Sequence, residues 1–126
     1  MTENEVATVI VDCAVEVART LGGPGLLEGV YAEALAWELG EKGLVVETQL
    51  AVPVLYKGRQ LGSSLRLDLL VEKKVIIETK ATTDYNEIFE VQALTYLRLM
   101  KLKLALVINF GEKYVKNGIH RVVNGL

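Results

Sequence analysis

The apolar residues near the N-terminus recur at helical spacing. One face of this segment carries Val6, Val9, Ile10, Cys13 and Val17. Thr2 followed by Glu5 forms a capping-box pattern in front of these residues, and the run Gly22-Gly23-Pro24-Gly25 interrupts the pattern behind them. The spacing therefore predicts a first helix that runs to about Leu21.

A second helical pattern begins near Leu26 and ends near Gly43, where a glycine suits the cap that closes a helix. The residues that this helix is expected to bury are Leu27, Val30, Tyr31, Ala34 and Leu35. Tyr31 is expected in the core rather than in a site. Trp37 is expected to pack as well, because a single tryptophan makes no stacking platform for bases.

Beyond residue 50 the apolar period changes from helical to alternating, which is typical of strands. Leu50 to Tyr56 and Leu65 to Val71 both alternate, and the polar run Lys57-Gly58-Arg59-Gln60 predicts a turn between them. Glu72 to Lys74 then turns the chain into a third predicted strand, Val75 to Lys80.

The rest of the chain predicts a helix and a buried strand. The helix runs from about Glu87 to Lys101, and near one of its faces lie Ile88, Val91, Leu94, Thr95 and Leu99. Leu104 to Phe110 is a continuous apolar run, typical of a strand covered on both sides. Asn117-Gly118 predicts a last short hairpin. The order ααβββαβ describes an α/β domain with a mixed sheet and helices packed on it.

Composition agrees with one folded domain, residues 1–126. Of these residues 51% are hydrophobic and 24% are charged, which is typical of a globular protein with a core. No apolar run approaches the roughly 20 residues of a membrane span, and the acidic N-terminus lacks the basic residues of a signal peptide. Cys13, the single cysteine, lies among apolar residues. We therefore expect a cytoplasmic protein with a buried thiol and no membrane contact.

Charge is distributed unevenly between the two halves of the chain. Residues 1–50 carry nine acids and two bases, whereas residues 51–126 carry seven acids and twelve bases, although the whole chain has a net charge of −2. Such asymmetry can mark a basic face that binds nucleic acid. It is equally consistent with lysines that only solvate the surface.

The turn between the second and third strands sets which side chains face each other. It lacks the Asn-Gly or Asp-Gly of a two-residue hairpin, so a three-residue loop, Glu72 to Lys74, is expected. That loop pairs Val71 with Val75, Leu69 with Ile77 and Leu67 with Thr79. On the other face it places Leu70 opposite Ile76, Asp68 opposite Glu78 and Arg66 opposite Lys80.

Two carboxylates in direct cross-strand register destabilise a sheet, so a sequence selected for stability alone would avoid Asp68 opposite Glu78. A divalent cation removes the conflict, because Mg²⁺ prefers one or two carboxylates and fills its other positions with water and phosphate. Lys80 shares the face of Glu78, where its ammonium can hold a phosphate oxygen or orient water. This pattern indicates metal-assisted phosphodiester hydrolysis.

A solvated hairpin face remains the alternative, with Arg66 and Lys80 neutralising the two acids. Glu-x-Lys is a common tripeptide, and a second copy, Glu72-Lys73-Lys74, falls in the predicted turn. The lone His120 is expected to be structural or exposed rather than a ligand.

An Asp on one strand followed by Glu-x-Lys on the next resembles the PD-(D/E)xK nuclease superfamily, whose fold is the restriction-endonuclease-like core. Gly25-Leu26-Leu27-Glu28-Gly29-Val30-Tyr31 also fits the motif that names the GxxExxY protein family of that superfamily. Other segments similar to this family are Tyr56-Lys57-Gly58, Arg66-Leu67-Asp68-Leu69-Leu70-Val71, Gln92 with Tyr96, and Ile108-Asn109-Phe110-Gly111.

The resemblance implies a role for each matching residue. Asp68 and Glu78 match the metal-binding acids, Lys80 matches the catalytic lysine, and Glu28 matches an acid that can complete the metal site. From the residues alone, a helix-capping role is favoured for Glu28 over a site role, because an acid in the first turn of a helix meets the helix dipole favourably. Gln92 and Tyr96 match a pair near the substrate, Gln92 in a catalytic role, and Arg66 is expected to contact substrate as well.

Thr79 departs from the apolar residue that is usual between the Glu and the Lys, and no His precedes Gln92. The expected function is a nuclease that uses Mg²⁺ or Mn²⁺ and acts on DNA or RNA. A non-catalytic module that binds nucleic acid or protein, and an oligomeric protein whose basic half faces a partner, are the alternatives. For the nuclease, we expect a homo-oligomer or a partner protein to supply specificity, because the chain has no separate recognition domain.

Overall fold

The computed structural model describes all 126 residues. Its helices are α1 (Glu3–Leu21), α2 (Glu28–Glu41) and α3 (Ile88–Met100), and a short 3-10 helix covers Val115–Gly118. Its strands are β1 (Val46–Tyr56), β2 (Arg59–Val71), β3 (Val75–Lys80), β4 (Leu104–Asn109) and β5 (Ile119–Val123). None of the helices is both long and apolar enough to cross a membrane.

The five strands form one sheet in the order β1-β2-β3-β4-β5. β3 and β4 run parallel, with Lys80 beside Asn109 at their shared carboxyl end, and every other neighbouring pair is antiparallel. The crossover between β3 and β4 is α3, as a parallel connection requires. The predicted α/β order is confirmed, with β5 as one further strand at the edge.

Helices cover both faces of the sheet. On one face α1 and α2 pack against alternate residues of the central strands, including Leu69, Ile77 and Leu106. On the other face Ala93 and Leu97 of α3 pack against the remaining set, such as Ile76 and Val107. Double coverage explains why β4 is buried at every position.

The start of α1 follows its sequence signals. The Thr2 hydroxyl accepts a hydrogen bond from the Glu5 N–H (3.1 Å), and the Glu5 carboxylate accepts one from the Thr2 N–H (2.9 Å). Gly22 ends the helix in the left-handed conformation with φ of 85°. Cys13 is buried in the core, and burial raises the pKa of its thiol.

Several expected helix faces were wrong. Leu27 is 80% exposed, Val30 is exposed, and Trp37 is 64% exposed, whereas Tyr31 and Leu35 are buried. α2 carries apolar residues on both sides, so its sequence pattern did not mark the inner one. On α3, the face that carries Ile88, Val91 and Leu99 is also exposed, because the smaller Ala93 occupies the close contact with the sheet.

The turns differ from expectation in a similar way. β1 and β2 extend beyond their predicted ends, so the turn between them contains only Lys57 and Gly58, both with positive φ (51° and 78°). Two left-handed residues in succession form the turn that matches the twist of a hairpin. Asn117-Gly118 closes a 3-10 helix in front of β5 and is not itself a two-residue hairpin turn.

Tyr31 ties the loop between α1 and α2 to the core. Its ring stacks on Phe110 with centroids 4.7 Å apart. Its hydroxyl donates a hydrogen bond to the Gly23 carbonyl (2.8 Å) and accepts one from the Leu26 N–H (3.1 Å). Residues 23–26 are thereby fixed immediately before Glu28, the first residue of α2.

Tyr31→Phe is expected to lower the free energy of unfolding by about 1–3 kcal/mol, because it leaves both backbone partners without the hydroxyl while keeping the ring stack. Chemical denaturation measures this change. Tyr114→Phe is the control, since Tyr114 is exposed. Equal stability of the two variants would contradict a structural role for the Tyr31 hydroxyl.

Candidate active site

The β2–β3 hairpin has the expected loop, and its first pairs are Val71 with Val75 and Leu69 with Ile77. The register of the paired segment is therefore confirmed. In the loop, Glu72 and Lys73 both adopt the left-handed conformation, with φ of 53° and 54°, although neither is glycine. The ladder ends at Leu69, so the expected cross-strand pairs Leu67–Thr79, Asp68–Glu78 and Arg66–Lys80 do not form.

Asp68 instead contacts the backbone of β3. Its Oδ2 accepts hydrogen bonds from the Thr79 N–H (2.8 Å) and the Thr79 hydroxyl (3.0 Å). Thr79 thus has a purpose that an apolar residue could not serve, because its hydroxyl adds a second donor to Asp68. The bonds hold the Asp68 carboxylate beside Glu78, the residue before Thr79.

A distortion of β1 and β2 occurs at the same level. The β1–β2 ladder skips the pair of Gln49 and Asp68, and Gln49 has a φ of 49°, an unusual value for a residue other than glycine. On one side of this point Leu69 packs under α1 and α2, whereas on the other side Leu67 packs under α3. The hairpin therefore rotates at Asp68, which strict alternation along the sequence did not indicate.

Glu78 has the most unusual environment of any acid in the chain. It is 8% exposed, and its Oε1 is buried without a hydrogen-bond partner. Burial, followed by the adjacent Asp68 carboxylate, raises the pKa of Glu78 to about 8, while the Lys80 ammonium opposes the shift. Without a cation the Glu78 carboxyl therefore holds a proton at neutral pH.

Lys80 lies at the end of β3 against an aromatic ring. Its Nζ is 4.5 Å from the ring centroid of Phe89 on α3. Phe89 in turn packs edge-on against Tyr85 (5.3 Å), whose hydroxyl donates a hydrogen bond to Glu90 (3.1 Å). A cation–π contact of this kind orients an ammonium without neutralising it. Sequence spacing gave no sign of Phe89 or Tyr85.

The side chain of His120 completes this aromatic group. Its ring stacks on Tyr85 with centroids 4.2 Å apart, and its Nδ1 lies 3.9 Å from the Glu90 carboxylate. Burial, followed by the hydrogen bond to Glu90, raises the pKa of Tyr85 well above its usual range. His120 is thus a packing residue, as its sequence context indicated.

Glu28 begins α2 and is exposed. Partial burial of its carboxyl raises its pKa, the Lys80 charge lowers it, and the Asp68 charge raises it, so the carboxyl lies within the field of both side chains. No three His, Cys, Asp or Glu side chains lie close enough to hold one ion together. The structure therefore brings together the pair Asp68 and Glu78, and the participation of Glu28 stays a prediction.

The other expected site residues differ in their burial and in their contacts. Tyr96 is half-buried, and its pKa is raised by burial and then by the charges of Glu78 and Asp68. Gln92 is exposed and lies between Phe89 and Tyr96 on one face of α3, by helical spacing. Arg66 is exposed and donates a hydrogen bond to the Gln49 carbonyl (3.0 Å) rather than lying opposite Lys80.

Asn109 locks the loops that follow β3 and β4. It is buried, and its Oδ1 accepts hydrogen bonds from the N–H groups of Thr82 (3.0 Å) and Gly111 (2.9 Å), while its Nδ2 donates to the Thr82 carbonyl (2.9 Å). A Cβ on Gly111 would overlap the backbone of Thr82. The Phe110 N–H also donates to the Lys80 carbonyl (2.7 Å), so this lock fixes the backbone of Lys80.

An acid on β2, an acid and a lysine on β3, and helices on both sides of a mixed sheet are now in place. A sequence model described as the PD-(D/E)XK nuclease superfamily matches residues 4–122, almost the whole chain. The chain belongs to the PD-(D/E)XK nuclease superfamily. No curated protein and no solved structure matches it.

PD-(D/E)XK nucleases typically use divalent metals, and the residues present here fit one. Glu78 offers a buried oxygen that no protein group satisfies. Asp68 forms both of its hydrogen bonds through Oδ2. Two carboxylates completed by water are a donor set that Mg²⁺ and Mn²⁺ accept. An unpartnered buried oxygen is otherwise costly, so a cation ligand is its simplest explanation.

Proposed function

We propose that this domain is a metal-dependent nuclease that hydrolyses phosphodiester bonds of DNA or RNA. Asp68, Glu78 and Lys80 carry the reaction in this proposal. The observation that supports it most is the buried Glu78 carboxyl, which has an unsatisfied oxygen and feels the charges of both Asp68 and the Lys80 ammonium. A fold maintained for stability alone would not bury an acid in this way.

Asp68 and Glu78 would hold Mg²⁺ or Mn²⁺, and the ion would polarise the phosphate and lower the pKa of water at the site. Thr79 fixes Asp68 in place through two hydrogen bonds. Glu78 must release its proton when it becomes a ligand, because ligating carboxylates are ionised. Lys80, held by Phe89 and free of ion pairs, contributes a positive charge toward the negative charge that develops on the phosphate.

Four further residues have narrower roles in the proposal. Glu28 would contact the ion through water, since its carboxyl lies in the field of Asp68 and Lys80 but forms no three-acid cluster with Asp68 and Glu78. Gln92 and Tyr96 face the substrate from α3, and Arg66 binds its backbone from β2. The motif from Gly25 to Tyr31, which contains Glu28, also supports assignment to the GxxExxY family.

A binding module without turnover is the second candidate, and one observation favours it. Only two acids come together at the site, and one of them, Glu78, holds a proton at neutral pH in the absence of a cation. Such a module would bind nucleic acid equally well in chelator and in metal. It would also tolerate the loss of Lys80.

The test is a cleavage assay on single-stranded and double-stranded DNA and RNA, each with Mg²⁺, Mn²⁺ or a chelator. We expect cleavage with metal and none in chelator. Binding of the same substrates by fluorescence anisotropy runs in parallel. Binding without cleavage under every metal condition would support the module and contradict the nuclease.

A further inference from the structure

A large cavity lies outside the acid pair. It measures about 640 Å³, within the range of ligand sites, and it opens between the end of α1 and the loop after β4. Its lining residues include three bases and no acid: Val15, Ala18, Arg19, Gly22, Gly23, Lys113, Tyr114, Val115, Lys116 and Asn117. In a chain with a net negative charge, a basic cavity indicates an anionic ligand.

Two of the three bases are free to bind. Arg19 already forms an ion pair with Glu16 at 2.5 Å. Lys113 and Lys116 are exposed and form no ion pair with any acid. Beside them Tyr114 is 63% exposed, and the Lys113 Nζ lies 5.4 Å from its ring centroid. The cavity thus combines unpaired cations with an exposed aromatic ring.

Both walls of the cavity belong to segments that lead along the chain toward the acid pair. One wall includes Gly23, which the Tyr31 hydroxyl holds and which precedes Glu28 by five residues. The other wall begins a few residues after Asn109, the strand partner of Lys80. Five residues span at most about 18 Å. A nucleic-acid strand rises roughly 3.4 Å per stacked nucleotide, so about five nucleotides reach from Gly23 to Glu28.

We propose that this cavity is a second binding site of the domain, for a nucleotide of a single strand that flanks the phosphodiester at Asp68 and Glu78. Lys113 and Lys116 contact its phosphates, and Tyr114 stacks on its base. A single strand fits better than a duplex because a base must leave its stack to lie on an exposed tyrosine. The choice of nucleic acid as ligand rests on the proposed nuclease function.

The experiment measures binding of labelled oligonucleotides by fluorescence anisotropy, in chelator and low salt, so that cleavage plays no part. Tyr114→Ala is expected to weaken binding of a single strand about tenfold, the usual effect of losing one base–aromatic stack. The Lys113→Ala/Lys116→Ala pair should reduce the slope of log K against log salt by about 1.4, since each lost phosphate contact contributes about 0.7 for single strands.

The turn between β1 and β2 offers a matched control. There the Lys57 Nζ also lies 5.4 Å from the ring centroid of its neighbour, Tyr56, which is 58% exposed. The Tyr56→Ala/Lys57→Ala variant removes the same chemistry without touching the cavity. We expect it to change binding by less than twofold. Melting temperatures of all variants verify that each is folded.

Several results would overturn the second site. These are an equal loss in the Tyr56 and Lys57 control, an acidic peptide that binds as tightly as the oligonucleotide, and no binding of any single strand at low salt. A mononucleotide that binds as tightly as a longer oligonucleotide would contradict an extended strand. Cleavage in Mn²⁺ is measured separately. If binding depends on Tyr114 but no cleavage occurs, the nuclease is rejected and the second site is kept. If cleavage occurs but Tyr114→Ala changes neither cleavage nor binding, the nuclease is kept and the second site is rejected.

Discussion

Lys80→Ala is expected to lower the rate of metal-dependent cleavage by about 10²- to 10³-fold, the usual cost of removing one positioned donor from a charged transition state. Lys80 is suited to this part because its ammonium lies over the Phe89 ring, 4.5 Å from the centroid, and forms no ion pair. The loss should appear in kcat, since Lys80 stabilises charge that develops during the reaction.

The chain contains a matched control in its second Glu-x-Lys tripeptide. Lys74→Ala removes a lysine two residues after Glu72 in the β2–β3 turn, remote from the carboxyl end of β3. We expect it to retain cleavage within a few-fold of the wild type. A Lys80→Ala protein that cleaves as fast as Lys74→Ala would assign Lys80 to structure and leave the binding module as the better account.

Glu78→Gln should separate a metal site from an ion pair through stability. The folded protein keeps a proton on Glu78 up to its pKa of about 8, whereas the ordinary pKa of a glutamate carboxyl is 4.5. Between these values the folded state binds more protons than the unfolded state, so the free energy of unfolding falls as pH rises. The full fall is at most about 5 kcal/mol, at 1.36 kcal/mol for each pKa unit.

Glutamine carries no charge at any of these pH values, so this fall should be absent from Glu78→Gln. At pH 8 in chelator the variant is expected to melt at the same temperature as the wild type or higher. Manganese at 100 times its dissociation constant should stabilise the wild type by about 2.7 kcal/mol and leave the variant unchanged. Metal binding should also release protons below pH 8.

Thermal melting at pH 5, 6.5 and 8, with chelator and with Mn²⁺, measures these effects. Glu112→Gln is the control because Glu112 is exposed. A structural ion pair makes the opposite prediction. In that case Glu78→Gln melts earlier than the wild type in chelator, and Mn²⁺ changes neither protein.

Local signals in the sequence were enough for the elements and for one turn. Thr2 and Glu5 predicted the start of α1, and the absence of Asn-Gly predicted the loop Glu72 to Lys74. These features depend on neighbours within a few residues. The adjacency of Asp68 and Glu78 followed from the loop even though the two are not a ladder pair, because Thr79 brings the Asp68 carboxylate across.

Features set by distant contacts could not be predicted in this way. The outer position of Trp37 depends on which side of α2 meets the sheet, and both sides are apolar. The rotation at Asp68 coincides with the left-handed conformation of Gln49, which lies nineteen positions earlier. Phe89 reaches Lys80 only because α3 crosses back over β3. No spacing rule connects such positions.

The parallel pairing of β3 with β4 has a consequence for when activity can arise as the chain folds. The β2–β3 hairpin is local and can form early, whereas β4 follows β3 only after the whole of α3. An isolated hairpin would leave Glu78 hydrated, with an ordinary acidity and no Phe89 beside Lys80. The buried acid and the oriented ammonium both arise when α3 docks and Asn109 locks the strand ends. We therefore expect partly folded and newly synthesised chains to be inert toward nucleic acid until this last step.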